Sequence, residues 1–220
     1  MTDLVHHALT VFMAFFAIMN PIANSVIFLS LTSNLGIRST RRVALRALRV
    51  AFGIVLVFAL FGSMVFALFG VTLAALRIAG GVLIALVGYR MLHGEHSLVS
   101  HPAALATADG ASEPEGSTND VAITPLAIPV LAGPGTIATT MSYAPSGQWI
   151  LTGITIAMFF LICVITYLAF VFSEQILARI GRDGMAVITR LMGLILAVIG
   201  VQMLLMGIQE SGVLVPVMAH

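Results

Sequence analysis

The chain has 220 residues, of which 60% are hydrophobic and only 9% charged, with a mean hydropathy of +1.09 and a formal net charge of +1. Too little polar sequence is present to cover a soluble core of that size, so composition points to an integral membrane protein. The near-neutral balance implies nothing about nucleic acid, and no basic patch interleaved with aromatics points to it, so no nucleic-acid partner is expected.

Apolar runs of about 20 residues, the length a helix needs to cross a bilayer, predict six spans at 5–31, 43–69, 71–92, 121–144, 149–172 and 186–208. The first has no positive flank and is longer than the apolar part of a signal peptide, so it reads as a retained span. It also carries a polar interruption, Met19-Asn20-Pro21-Ile22-Ala23-Asn24-Ser25. Proline lacks the backbone donor a helix interior needs, which makes Asn20 a natural N-cap and Pro21 the first residue of a new half-helix.

Every basic residue is an arginine. Arg38, Arg41, Arg42, Arg46 and Arg49 surround the first loop, and Arg179, Arg182 and Arg190 the fifth. The positive-inside rule makes those loops cytoplasmic and both termini periplasmic. Spans two and three form a tight pair joined near Gly70, and span three holds Arg77, Gly80 and Gly81 before ending at Arg90. Residues 93–120 then turn polar and acidic, as a solvated linker does. Its His93, Glu95, His96 and His101 have no spacing that fixes a coordination geometry, so no metal site is expected.

Span four contains a second interruption, Ala132-Gly133-Pro134-Gly135-Thr136, with Gly133 as N-cap and Pro134 at the first helical position. Pro134 follows Pro21 by 113 positions, the same offset that separates Arg190 from Arg77 and Gly193 from Gly80. Three spans per unit insert the second unit upside down. The expected fold is therefore an all-α membrane protein of six transmembrane helices, arranged as two inverted three-helix repeats (1–92 and 121–220) flanking the 93–120 linker, with helices 1 and 4 broken.

Inversion makes the two half-helices start toward each other near the midplane, where paired N-termini favour a carboxylate. Asn20, Pro21, Asn24 and Ser25 from one side, with Gly133, Pro134, Gly135, Thr136 and Thr140 from the other, are the candidate substrate-binding residues, and Thr139 adds a hydroxyl. The plainer alternative is a pair of proline kinks whose hydroxyls bond back to their own helices. Arg77 and Arg190 read as equivalent gating or ion-pair residues, or as side chains that snorkel to the interface. Glu174 reads as the one acid near a span and as a candidate partner of Arg190 or Arg179. Small residues at Gly81, Ala85, Gly193 and Ala197 suit close helix packing. Cys163 is single and reads as apolar filler.

Functional machinery of other kinds is not visible. No paired acids, no histidine within a span and no serine–histidine or cysteine–histidine arrangement is read, so the chain is not expected to be an enzyme, and without a GxxxxGK loop no nucleotide or other cofactor is expected.

Asn20-Pro21-Ile22 and Pro125-Leu126-Ala127-Ile128-Pro129-Val130-Leu131-Ala132-Gly133-Pro134-Gly135-Thr136-Ile137 closely resemble the corresponding stretches of the MarC family. The resemblance covers almost the whole chain and points to Asn20, Pro21, Pro129, Gly133, Pro134 and Gly135. It implies a multi-pass protein of the bacterial inner membrane, related to carriers of small neutral amino acids such as glycine and alanine. The leading expectation is a secondary transporter of such a solute by alternating access. An aquaporin-like channel for water or small neutral solutes, or a drug-efflux-related membrane protein, is the alternative. The lipid bilayer is the other partner, and a homo-oligomer is compatible with these features.

Overall fold

The computed structural model describes residues 2–33, 35–94, 131–144 and 147–212. Seven helices and no strand occur among them. In chain order these are α1 (Thr2–Met19), α2 (Pro21–Thr32), α3 (Ile37–Leu68), α4 (Leu73–Leu92), α5 (Pro134–Tyr143), α6 (Trp149–Val171) and α7 (Ser173–Glu210). Five stretches of the described residues are long and apolar enough to cross a membrane: Asp3–Thr32, Ile37–Leu68, Leu73–Leu92, Trp149–Val171 and Asp183–Glu210. The predicted sixth, 121–144, is described only from Leu131 onward. The linker beyond Gly94, with Glu95, His96 and His101, and Pro129 of the second motif lie outside the described residues.

Helix ends follow local chemistry. Asn20 adopts φ 38°, ψ 68°, a left-handed conformation that asparagine tolerates better than most residues, and this separates α1 from α2. Thr72 opens α4 by accepting a hydrogen bond from the Ala75 N–H at 3.1 Å. Within α7, Gly181 takes φ 75°, ψ 169°, a conformation that interrupts the helix between the short segment beginning at Ser173 and the membrane-crossing length from Asp183.

Two buried clusters hold the bundle together. The larger gathers α1, α2, α3 and α6 around fully buried Phe15, Phe28, Phe159 and Phe170. Phe28 stacks on Phe170 at a centroid distance of 4.3 Å, and Phe15 meets Phe159 edge-on at 4.9 Å. Ala17, Ile84, Ala138, Leu196 and Met203 form the smaller cluster, joining α1, α4, α5 and α7. Large apolar side chains such as Phe61, Met64, Leu68 and Val198 remain exposed on the outer surface, as lipid-facing residues of a membrane bundle are.

The most extensive helix pair is α4 with α7, and they run antiparallel. Gly81 and Gly88 lie seven residues apart on one helix, and Gly193, Gly200 and Gly207 repeat at the same spacing on the other. Two helical turns bring such residues back to one face. A Cβ on Gly81 would lie 2.6 Å from the Gly200 carbonyl oxygen, and one on Gly88 would lie 2.6 Å from that of Gly193. The two backbones therefore meet without an intervening side chain, the close approach that drives helix association where no hydrophobic force is available. Ala85 and Ala197 lie on this same seam, against Gly200 and Gly88 respectively.

Candidate functional site

Around Asn20 the backbone groups freed by the break are capped by the two nearby asparagines. Pro21 has no N–H to offer. The Ala23 N–H donates to Asn20 Oδ1 at 3.3 Å, and Asn24 Nδ2 donates to the Met19 carbonyl at 2.5 Å. Ser25 Oγ donates to the Ile22 carbonyl at 2.6 Å. Asn20, Pro21, Asn24 and Ser25 are all buried. One polar group stands out: Asn20 Nδ2 is buried, on a residue only 4% exposed, and has no hydrogen-bond partner among the described residues. An amide donor left dry costs about 1–3 kcal/mol.

The second motif is built in a similar way. Gly133 caps α5 in extended conformation with Pro134 at its start, while the Ile137 N–H bonds to the Gly133 carbonyl at 3.1 Å. Gly135 is required by packing, because a Cβ there would lie 2.5 Å from Ile84 of α4. Thr136 Oγ1 donates to the Leu131 carbonyl at 3.2 Å and Thr140 Oγ1 to the Thr136 carbonyl at 2.7 Å. Thr139 is buried and makes no side-chain hydrogen bond among the described residues. Pro134 itself is exposed. Met19, just before the first break, shares a buried cluster with Leu131 and Ala132, just before the second.

The hydroxyls of Ser25, Thr136 and Thr140 thus bond back to local backbone carbonyls, as in the plainer of the two sequence readings. Their lone pairs remain as acceptors. Donors come from Asn20 Nδ2 and the N-terminal turns of α2 and α5.

Charged residues differ from expectation. Glu174 is exposed and pairs with neither Arg190 nor Arg179; the one ion pair among the described residues joins Arg77 of α4 to Glu210 at the end of α7. Arg77 Nε also donates to Ser142 Oγ of α5 at 2.9 Å. Arg190 is exposed and lies near Gly94, past the far end of α4 from Arg77. The reason is the antiparallel α4–α7 pairing, which places the end of α7 beside the beginning of α4. Glu210 lies two residues past the predicted sixth span, and only this pairing marks it as the partner of Arg77.

A histidine does lie within a membrane-crossing length, contrary to the sequence reading. His7 of α1 meets Tyr143 edge-on at 5.9 Å, and its Nε2 is buried without a hydrogen-bond partner among the described residues. Both His6 and His7 fall inside the predicted first span at 5–31, within one turn of its start, where they read as the polar edge of an apolar run. Cys163 is buried and free, and no group of metal-ligating side chains occurs among the described residues.

An all-α bundle with long apolar helices, exposed lipid-facing side chains and polar groups buried at a helix break defines a multi-pass integral membrane protein. The family model of the MarC family integral membrane proteins matches residues 5–211, and the chain belongs to that family. It is 38% identical over 203 residues to the membrane protein YvbG of Bacillus subtilis, covering 90% of this chain and 92% of that one. A membrane protein of Methanocaldococcus jannaschii is 35% identical over 201 residues, covering 91% and 95%. The inner membrane protein MarC of Escherichia coli K12 is 35% identical over 198 residues, covering 87% and 89%. No solved structure matches the chain.

Proposed function

We propose that this chain is a secondary carrier of small neutral amino acids, of glycine or alanine size, that works by alternating access between two inverted three-helix repeats. The observation that carries the reading is the buried Asn20 amide at the N-terminus of α2, without a hydrogen-bond partner among the described residues. A donor in that setting suits a ligand carboxylate, to which the N-terminal turn adds its positive dipole end. The ligand ammonium is received by the carbonyl and hydroxyl oxygens at the breaks. No acidic side chain lies among the candidate binding residues, which favours a zwitterion over a cation.

Inverted repeats are supported by packing that survives exchange of the halves. α2 packs on α6 and α7, and α5, its counterpart, packs on α3 and α4. Shifting residue numbers by 112 carries the Gly81–Gly200 contact onto Gly193–Gly88, and Ala85–Gly200 onto Ala197–Gly88. That register is one residue shorter than the 113 separating the prolines. On it Arg77 corresponds to Thr189 and not to Arg190. In this reading the first broken span is α1 with α2, α5 is the second half of the other, and the arginine-rich first loop faces the cytoplasm.

Counterflow in proteoliposomes tests the proposal. Vesicles preloaded with unlabelled alanine or glycine and given a trace of labelled solute outside should accumulate label transiently and saturably, and an Asn20→Leu variant should not. Equilibration without overshoot would identify a channel instead, and flux no greater than in empty liposomes would refute both.

A further inference from the structure

Where α3 passes into α4, a cavity of about 570 Å³ opens between α3, α4, α5 and α6, walled in part by Phe58, Phe66, Leu73, Trp149 and Thr152. Arg77 and Ser142 also line it, hydrogen-bonded to one another, whereas Glu210, the ion-pair partner of Arg77, does not. The Arg77 side chain is only 14% exposed, that of Glu210 46%. A guanidinium carries five N–H donors in a fork suited to two parallel bonds with a carboxylate. Glu210 engages it through Nη1 alone, Ser142 accepts from Nε, and the remaining donors have no partner among the described residues. Arg77 therefore holds a carboxylate by one arm of the fork while its side chain lines a cavity of ligand size.

The same guanidinium joins three elements. Through Ser142 it holds α5, the half-helix that begins at the second break, and through Glu210 it holds the end of α7. We propose that Arg77 is an entry site for a ligand carboxylate, that Glu210 occupies it in the resting protein as an internal stand-in, and that exchange of one carboxylate for the other unlatches the end of α7 from α4 and α5. On the 112-residue register the opposite end of the bundle has buried, uncharged Thr189 where this end has Arg77. The latch belongs to one face only, so access on the two faces is under different control. The identity of the ligand, though not the latch, rests on the carrier reading.

The experiment uses the full chain in proteoliposomes, with Cys163→Ala removing the single native cysteine and Thr152→Cys reporting from the cavity wall. Thr152 is 6% exposed, so a membrane-impermeant thiol reagent should label it slowly. Glu210→Gln should raise the labelling rate several-fold without any ligand, and the charge swap Arg77→Glu with Glu210→Arg should return it to the slow value. Alanine and lactate, which carry a carboxylate, should speed labelling of the otherwise unsubstituted latch, and alaninamide, which lacks one, should not. An unchanged rate in Glu210→Gln, or alaninamide as effective as alanine, overturns the proposal. Lactate acting where alanine fails would sustain the latch and remove the neutral amino-acid reading.

Discussion

Replacing Gly88 by alanine puts a methyl group where the backbone of α7 already lies. The new Cβ would fall 2.4 Å from the Ala197 backbone nitrogen and 2.6 Å from the Gly193 carbonyl oxygen, against an ordinary contact range that begins at 3.4 Å, a shortfall of roughly 1 Å at the nearer atom. Both partners are backbone, so no rotamer change relieves the clash and the helices must separate by about that distance. Overpacking of this kind destabilises by about 1–3 kcal/mol. For a chain of this size each kcal/mol lowers the melting temperature by about 2–4 °C. Thermal unfolding of the purified protein in one detergent, followed by the loss of its monodisperse elution peak, should therefore shift down by several degrees. Gly53→Ala is the matched control, since a Cβ there meets nothing within 4 Å. Gly88→Ala combined with Gly200→Ala should destabilise by less than the two effects added, because the first separation already makes room for the second methyl. A Gly88→Ala protein that melts with the wild type and with Gly53→Ala would refute the close-packed seam.

Asn20→Gly keeps access to the φ of 38° and removes the amide, so the protein should insert and elute normally yet lose saturable counterflow; retained counterflow would place the substrate elsewhere. Phe28→Ala empties a fully buried position stacked on Phe170 and should destabilise by about 3–5 kcal/mol, read as a collapse of the detergent melting curve. Asn24→Leu removes the donor that caps the Met19 carbonyl and should weaken substrate binding while expression persists, measured by equilibrium binding of labelled alanine. Wild-type affinity in that variant would remove Asn24 from the site.

Much of this arrangement can be read along the chain because its causes are local. Proline without an N–H, asparagine tolerant of a left-handed φ and glycine ahead of Pro134 announce the helix starts at Pro21 and Pro134 wherever they occur. Run length and composition announce a membrane helix for the same reason: the bilayer acts on each segment separately. The small residues Gly81, Ala85, Gly193 and Ala197 are legible as a close-packing face and all four lie on the α4–α7 seam, whereas Gly80, matched to Gly193 by the offset of 113, faces Ala138 of α5 instead. Only Gly81 and Gly88 together mark the face that meets α7.

Sequence alone determined the helical membrane class, the first break and the polar residues gathered beside it, since each depends on neighbours within about one helical turn. Tertiary structure decided which polar groups are satisfied and which charges meet. Ser25, Thr136 and Thr140 turn out to bond to nearby carbonyls, while the Asn20 amide is left without a partner among the described residues. Arg77 finds Glu210, 133 residues away, because antiparallel packing of α4 on α7 brings the start of one helix to the end of the other. A partner at that separation is chosen by how helices pack, and no local pattern along the chain encodes it.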